Sequence, residues 1–313
     1  MEQVDVVCLC QRYDIIEMWG GGFRAHHPWI NLLRPEDVAE PSRIRHALAF
    51  SPEPDAFDPY PNLAVIHGAG AGVDALLAHP GIRAGVALTR VINSEQARMM
   101  AAFAAYYVTG WHRRMWDYPG LQAARDWTVI NLATPADFRV GLLGYGAMGK
   151  TIATALTAMG FPVTALAGSP RQDGEVEVVA GDAGLARIVG ESRAVINVLP
   201  LTEATRGILN ASFFADMRKD AVLIQLGRGG HLNEDDLIDA LDQGRPALAA
   251  LDVMAVEPLP QDHPFWGHPK IMLTPHVASE SDPDRIADWI AANIQRIERG
   301  EAPEGLVDRK KGY

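Results

Sequence analysis

Short apolar runs alternate with stretches of helical periodicity along most of this chain, the pattern of a parallel sheet whose strands are joined by helices. Val140-Gly141-Leu142-Leu143 reads as a buried strand, and Ile152, Leu156 and Met159 follow at helical spacing. Further strands are predicted at 163–167, 194–199, 221–226, 247–253 and 271–274. A helix stands between two of these. Asn233 can cap it, Glu234, Asp235 and Asp236 suit its positive first turn, and Gly244 suits its end. Toward the N-terminus a weaker set of strands, at 4–10, 47–50 and 64–67 with many prolines between, predicts a smaller α/β domain. The stretch 94–113 reads as a long helix connecting the domains, capped by Asn93 with Gln96 reaching back. A last helix is predicted at 284–299, ending at Gly300. The chain has no internal repeat and no low-complexity segment.

At 313 residues two domains are expected rather than one. Hydrophobic residues at 48% and charged residues at 21% are those of a globular protein, which excludes a disordered chain. Acids outnumber bases 39 to 28, a net charge of −11, the opposite of what a general nucleic-acid or anionic-membrane binder carries. The basic cluster Arg309-Lys310-Lys311 is too short to reverse that reading. Cys8 and Cys10 share one face of a strand, roughly 6–7 Å apart and poorly suited to a disulfide, so they read as small apolar residues in a reducing compartment. No apolar run approaches the ~20 residues needed to span a bilayer, and a basic leader is lacking, so a cytoplasmic location is expected.

Gly144-Tyr145-Gly146-Ala147-Met148-Gly149 fits GxGxxG directly after a buried strand and at the start of a helix, the context that makes the pattern informative. The first glycine permits the tight turn, the second lets backbone approach a pyrophosphate, and the third allows close helix–strand packing. The helix N-terminus then offers N–H groups and partial positive charge to phosphates. Gly68-Ala69-Gly70-Ala71-Gly72 is a weaker competitor, because Val73 stands where the last glycine belongs. In NAD-preferring folds an acid usually ends the second strand. Here Ala167 stands there, nothing acidic appears until Asp173, and Ser169 and Arg171 can hold a 2′-phosphate through charge-assisted bonds. NADP(H) is therefore expected, with NAD(H) as the alternative.

Three polar residues close later strands, where ligands bind in open α/β sheets: Arg228, flanked by glycines, Glu257 and His276. Each alone has a mundane alternative, and spacing cannot separate them. Together with their surroundings they resemble the D-isomer-specific 2-hydroxyacid dehydrogenases, most nearly the glyoxylate/hydroxypyruvate reductase A group. The likeness is carried, in order, by Gly70-Ala71-Gly72-Val73-Asp74, the GxGxxG turn, Leu226-Gly227-Arg228-Gly229, Leu251-Asp252-Val253 and Glu257-Pro258-Leu259-Pro260. It continues through Phe265-Trp266-Gly267-His268-Pro269, Thr274-Pro275-His276-Val277-Ala278 and the tail from Val307 to Tyr313. Gly227 departs from the alanine common in the family, and the stretch 116–137 matches poorly.

The resemblance implies two doubly wound parallel-sheet domains with the active site in the cleft between them. One is a Rossmann-type dinucleotide-binding domain over 93–282. The other is a smaller flavodoxin-like substrate domain formed by 1–92 with 283–313. It implies an NADPH-dependent reductase of small 2-keto acids, taking glyoxylate to glycolate and hydroxypyruvate to D-glycerate. Arg228 would grip the carboxylate and polarise the keto oxygen, His276 would protonate that oxygen, and Glu257 would orient the histidine. Backbone N–H groups in Gly70-Ala71-Gly72 would hold the carboxylate, and Asp252 would sit near the nicotinamide carboxamide. Ala147, Met148, Leu199 and Pro200 join the glycines, Ser169 and Arg171 as cofactor-binding residues. His263, His268 and His276 could suggest a metal cluster, but metal-ligand spacing is lacking and no metal is assigned. The long helix, with Met99-Met100-Ala101-Ala102-Phe103, would contribute to a homodimer interface or else read as domain core. Two other activities stay open: oxidation or reduction of another 2-hydroxy acid, and a dinucleotide-sensing scaffold with little turnover.

Overall fold

The computed structural model describes residues 3–280 and 282–310, so Lys311, Gly312 and Tyr313 of the C-terminal motif lie outside the described residues. The chain divides into two compact units, Met1–Asn93 with Ser281–Tyr313 and Ser94–Glu280. The first begins with β1 (Val4–Leu9), α1 (Ile15–His26), β2 (Ile30–Leu33), β3 (His46–Ala49), β4 (Val65–Gly68), α2 (Asp74–Leu77) and β5 (Ala87–Thr89). The second opens with α3 (Ser94–His112), α4 (Tyr118–Ala124), β6 (Val140–Leu143), α5 (Ala147–Ala158), β7 (Val163–Leu166), β8 (Arg171–Asp173) and β9 (Val176–Val179). It continues with α6 (Gly181–Glu191), β10 (Ala194–Asn197), α7 (Ala211–Asp216), β11 (Val222–Gln225), α8 (Glu234–Asp242), β12 (Leu248–Leu251) and β13 (Ile271–Leu273). The last helix, α9 (Pro283–Glu298), belongs to the first unit.

The first unit is a five-stranded parallel sheet of order β2-β1-β3-β4-β5, the flavodoxin-like winding. Alternation along β1 explains its two cores. Val7 and Leu9 face one cluster with Ile66 and Leu88, whereas Val6 and Cys8 face another with Trp19 and Phe23 of α1 and Ile286, Ile290 and Ile294 of α9. Both cysteines are free, and burial first, then Asp14, pushes the Cys8 thiol up to about 12. Helix α1 was not anticipated, because Gly20-Gly21-Gly22 opposes helix propensity. Tertiary packing overrides it: a Cβ on Gly22 would lie 2.7 Å from Asp284 Oδ1 and 3.0 Å from its Cα, so the glycine permits close approach of α9.

The second unit is an eight-stranded sheet of order β13-β12-β11-β10-β6-β7-β9-β8, parallel except for the edge pair β8–β9. Strand order reverses between β6 and β10, the switch point at which such sheets bind ligands. Helices α3 and α5 cover one face, burying Ala104, Val108, Ile152 and Leu156 against Leu142 and Ile196. Phe213 and Phe214 of α7 with Leu237 and Leu241 of α8 cover the other. Met100 and Phe103 pack on the first of these cores while Met99 is exposed. Strand β8 escapes sequence reading because Arg171-Gln172-Asp173 holds no apolar residue, and only its antiparallel pairing with β9 makes it a strand.

His46, His67 and Thr89 stand on three adjacent strands of the first unit. The two imidazoles stack, His67 Nδ1 lies 3.2 Å from Thr89 Oγ1, and His46 Nε2 lies 3.3 Å from Glu298 of α9. Burial, then the neighbouring His46, pushes His67 from its ordinary 6.5 down to about 3. Between those values the unfolded chain takes up a proton that the folded chain refuses, so stability present above pH 6.5 is lost as pH falls toward 3. The urea midpoint should accordingly fall between pH 7 and pH 5, and the fall should be shallower in His67→Gln. Equal slopes in the two proteins would remove His67 as the titrating group.

Candidate active site

The turn from β6 to α5 shows how its glycines divide the work. Gly144 has φ of +102°, and a Cβ there would lie 2.9 Å from the Val198 carbonyl oxygen of the strand across the switch point. A Cβ on Gly149 would lie 2.1 Å from the Gly144 carbonyl oxygen. Gly146, the N-cap of α5, would meet nothing within 4 Å, so its backbone can be approached by a ligand. Ala147 and Met148 form the first turn of α5, whose N–H groups and dipole favour an anion.

Ala167 follows β7, and Arg171 opens β8 after the bend through Ser169. The Arg171 guanidinium lies 5.4 Å from the Tyr145 ring centre and donates to the Ser169 carbonyl at 3.3 Å. Lys150 Nζ lies 5.6 Å from the same ring and 3.4 Å from Asp173. Tyr145 and Lys150 were not singled out from sequence. Their positions inside and just after the glycine turn were the available signal.

Arg228 follows β11 in extended backbone, its Nη1 donating to the Gly227 carbonyl at 2.7 Å. A Cβ on Gly229 would lie 1.9 Å from the Met254 carbonyl oxygen, so only glycine lets this loop run against the one bearing Glu257. That second loop is held twice: Met254 N–H donates to Glu257 at 3.0 Å, and Ala255 N–H donates to Glu234 at 3.1 Å. Glu257 Oε2 lies 2.9 Å from His276 Nδ1. Burial pushes the Glu257 carboxyl up, but its bonds from His276 and Met254, together with the charges of His276 and Arg228, outweigh burial and hold it below the usual range. Arg228, Glu257 and His276 are thus brought together, a hydrogen-bonded carboxylate–imidazole pair with a guanidinium nearby.

His276 has φ of +57°, a left-handed conformation uncommon outside glycine. The buried Asp252 holds it there. Its Oδ1 accepts from Thr274 Oγ1 at 2.7 Å and Val277 N–H at 2.9 Å, its Oδ2 accepts from Ala278 N–H at 3.0 Å, and its carbonyl accepts from His276 N–H at 2.9 Å. Sequence reading missed this structural work for the carboxylate. His263 pairs with Glu234 and His268 faces Asp242. Among the described residues no group of three metal-ligating side chains is arranged to hold an ion, and no helix is long and apolar enough to cross a membrane. Gly70-Ala71-Gly72 leaves β4 in the first unit, its Gly70 carbonyl accepting from Val91 N–H at 3.0 Å.

Comparison with known proteins gives a consistent result. Residues 105–278 match the D-isomer specific 2-hydroxyacid dehydrogenase, NAD binding domain. The chain is 42% identical over 273 residues to glyoxylate/hydroxypyruvate reductase A of Serratia proteamaculans, covering 86% of this chain and 87% of that protein. Among solved structures it is similar to a D-isomer specific 2-hydroxyacid dehydrogenase from Xanthobacter autotrophicus Py2 in complex with NADPH and MES. The TM-score is 0.92 and the identity 33%, over the whole of both chains. An NADPH-dependent glyoxylate/hydroxypyruvate reductase from Sinorhizobium meliloti, in complex with NADP and sulfate, gives a TM-score of 0.90 at 32% identity, over 99% and 100% of the two chains.

The glycine geometry separates two substitutions. Gly149→Ala places a methyl group against backbone and should lower Tm by several degrees, roughly 1–3 kcal/mol of overpacking. Gly146→Ala meets open space, and its Tm should stay within about 2 °C of the parent, since surface changes cost little. Thermal melts of the two variants check this, and an equal loss in both would contradict the assignment of tight and open positions.

Proposed function

Because the chain belongs to the D-isomer specific 2-hydroxyacid dehydrogenase family, we propose that it reduces small 2-keto acids with NADPH, converting glyoxylate to glycolate and hydroxypyruvate to D-glycerate. The observation that carries the reading is the 2.9 Å pair between Glu257 and His276 on the loop edge that also bears Arg228. The names of the relatives and the NADPH- and NADP-bound structural neighbours support the substrate and the cofactor. The turn fits a dinucleotide: Gly146 leaves room for a pyrophosphate, α5 presents its N-terminus, and Leu199-Pro200 adjoins the turn across the switch point. Ser169 and Arg171 fit a 2′-phosphate that an acid at Ala167 would repel. Bound there, NADPH supplies the hydride for the keto carbon.

In this reading the chain's own residues do the rest. Arg228 binds the carboxylate with a planar fork and draws electron density toward the keto oxygen. Backbone N–H groups in Gly70-Ala71-Gly72 bind the same carboxylate. His276, whose Nδ1–H faces the Glu257 carboxylate, carries the transferable proton on Nε2 as the imidazolium and delivers it to the keto oxygen. Glu257 holds the ring in that orientation and favours the imidazolium, and its depressed pKa keeps it ionised throughout the working range. Asp252 fixes the backbone beneath His276 and, in this reading, lies near the nicotinamide carboxamide. Residues 1–92 with 283–313 are taken as the substrate domain and 93–282 as the dinucleotide domain. We take the working form to be a cytoplasmic homodimer that binds no nucleic acid, a reading the net charge of −11 supports.

A panel of 2-keto acids assayed with NADPH and with NADH tests the function. Glyoxylate and hydroxypyruvate should lead it, with NADPH preferred, and Arg171→Ala should raise the KM for NADPH while leaving NADH use little changed. A parent enzyme that prefers NADH, or one that ignores both substrates, would overturn the reading. The acid–base assignment is tested through Glu257→Gln. A carboxylate beside an imidazole favours the imidazolium, so its loss should move the alkaline limb of kcat/KM for reduction to lower pH. His276→Ala should cut reduction by about 10²–10⁴-fold while NADPH binding survives. An unmoved alkaline limb in the Gln variant would withdraw Glu257 from the pair.

A further inference from the structure

We propose that Asn197, Gln225 and His231 form a positioning network that fixes the Arg228 peptide and so sets the affinity for the substrate carboxylate; this rests on the reading of Arg228 as the carboxylate clamp. All three side chains are fully buried. None was singled out from the sequence, and the mechanism above uses none of them.

The bonds converge on one residue. Arg228 N–H donates to His231 Nδ1 at 3.1 Å, and Gln225 Nε2 donates to the Arg228 carbonyl oxygen at 2.9 Å. Both polar groups of this residue are therefore held by buried side chains outside any sheet ladder, the carbonyl also accepting from His231 N–H at 3.0 Å. Gln225 is itself oriented, because its Oε1 accepts from Asn197 Nδ2 at 2.7 Å and from Gly227 N–H at 3.4 Å. Asn197 Oδ1 accepts in turn from Leu199 N–H at 3.2 Å. His231 Nε2 lies 3.2 Å from the Pro200 carbonyl oxygen. A backbone N–H on Nδ1 and a carbonyl on Nε2 leave one assignment, the neutral imidazole protonated at Nε2.

Gly227 belongs to the same device. A Cβ there would lie 2.9 Å from His231 Nδ1 and 3.0 Å from Asn197 Nδ2. A methyl group there would press on both, so the glycine makes room for the network. An arginine side chain is long and rich in rotamers, and its fork meets a carboxylate in register only if its root is fixed. Removing one arm takes a hydrogen-bond partner from this buried backbone, the Arg228 carbonyl and Gly227 N–H for Gln225 and the Arg228 N–H for His231, and the loop relaxes in response.

Gln225→Leu is the principal test, since Gln225 bonds to Arg228, Asn197 and Gly227 and to neither Leu199 nor Pro200. It should raise the KM for glyoxylate about tenfold and weaken the binding of oxalate, an inert dicarboxylate probe, by a similar factor. The NADPH dissociation constant, read from nucleotide fluorescence, should stay within about twofold. If Gln225 acts through Arg228, adding Gln225→Leu to Arg228→Ala should change kcat/KM by less than about twofold. A full tenfold loss in that background, or a parallel loss of NADPH binding, would make Gln225 a general stabilising residue and overturn the proposal. Should Gln225→Leu fail to fold, His231 decides. His231→Phe should lose about tenfold in oxalate affinity, while His231→Asn, which keeps an acceptor for the Arg228 N–H, should recover most of it. Equal losses in the two His231 variants would overturn the proposal as well. Arg228→Ala that leaves KM and oxalate binding unchanged would instead sink the clamp reading itself, whereas a large loss there with silent Gln225 and His231 variants would sink the network alone.

Discussion

Where a parallel strand ends, its chain leaves the hydrogen-bond ladder and its peptide groups need new partners. In the second unit this need arises for neighbouring strands along one edge, because β6, β7, β10, β11, β12 and β13 all run the same way. Buried polar side chains answer it. Asp252 takes the N–H groups of Val277 and Ala278, Gln225 and His231 take the two polar groups of Arg228, and Asn197 takes Leu199 N–H. An unpaired group in such a place costs on the order of 1–3 kcal/mol, so these contacts define loop positions sharply. Arg228 and His276 inherit that definition.

The same edge concentrates charge that the molecule as a whole opposes. A chain of net charge −11 repels anions at long range, yet the proposed 2-keto acid and NADPH are both anionic. Local cations answer this at short range, Arg228 on one loop and Lys150 with Arg171 around the Tyr145 ring on another. Acids lie beside them: Asp173 pairs with Lys150, and Glu257 feels Arg228 while bonding His276. Lys150 and Arg228 thus each work with a nearby counter-charge, which limits the desolvation cost of gathering like charges.

Much of the second unit was legible because its strands are continuous apolar runs and its glycine turn sits between strand and helix. Arg228, Glu257 and His276 stood out only through the resemblance, since nothing in spacing alone separates a catalytic strand-end residue from a surface one. What escaped has physical causes. Helix α1 carries three consecutive glycines, of which Gly22 is explained only by its contact with Pro283 and Asp284. Strand β8 has no apolar residue at all. Asp252 was noticed as an acid near a cofactor, whereas its bonds to Thr274, Val277 and Ala278 depend on a crossing between strands that sequence order hides. Gln225 reads as one polar residue in a buried strand, and its purpose depends on His231 and Asn197, which approach from other directions.

The packing of α9 on α1 has a consequence for how the chain comes to be folded. Trp19 and Phe23 bury themselves against Ile286, Ile290 and Ile294, and His27 bonds Asp288, across some 260 positions of sequence. The second unit, by contrast, is one contiguous stretch and can close as soon as it leaves the ribosome. Synthesis from the N-terminus therefore leaves the apolar face of α1 waiting, uncovered, until the final helix arrives. Contacts so distant in sequence form slowly, and an exposed aromatic face invites association in the interval. The vulnerable period of this protein's life is set by the time needed to make the roughly 260 residues that separate α1 from α9.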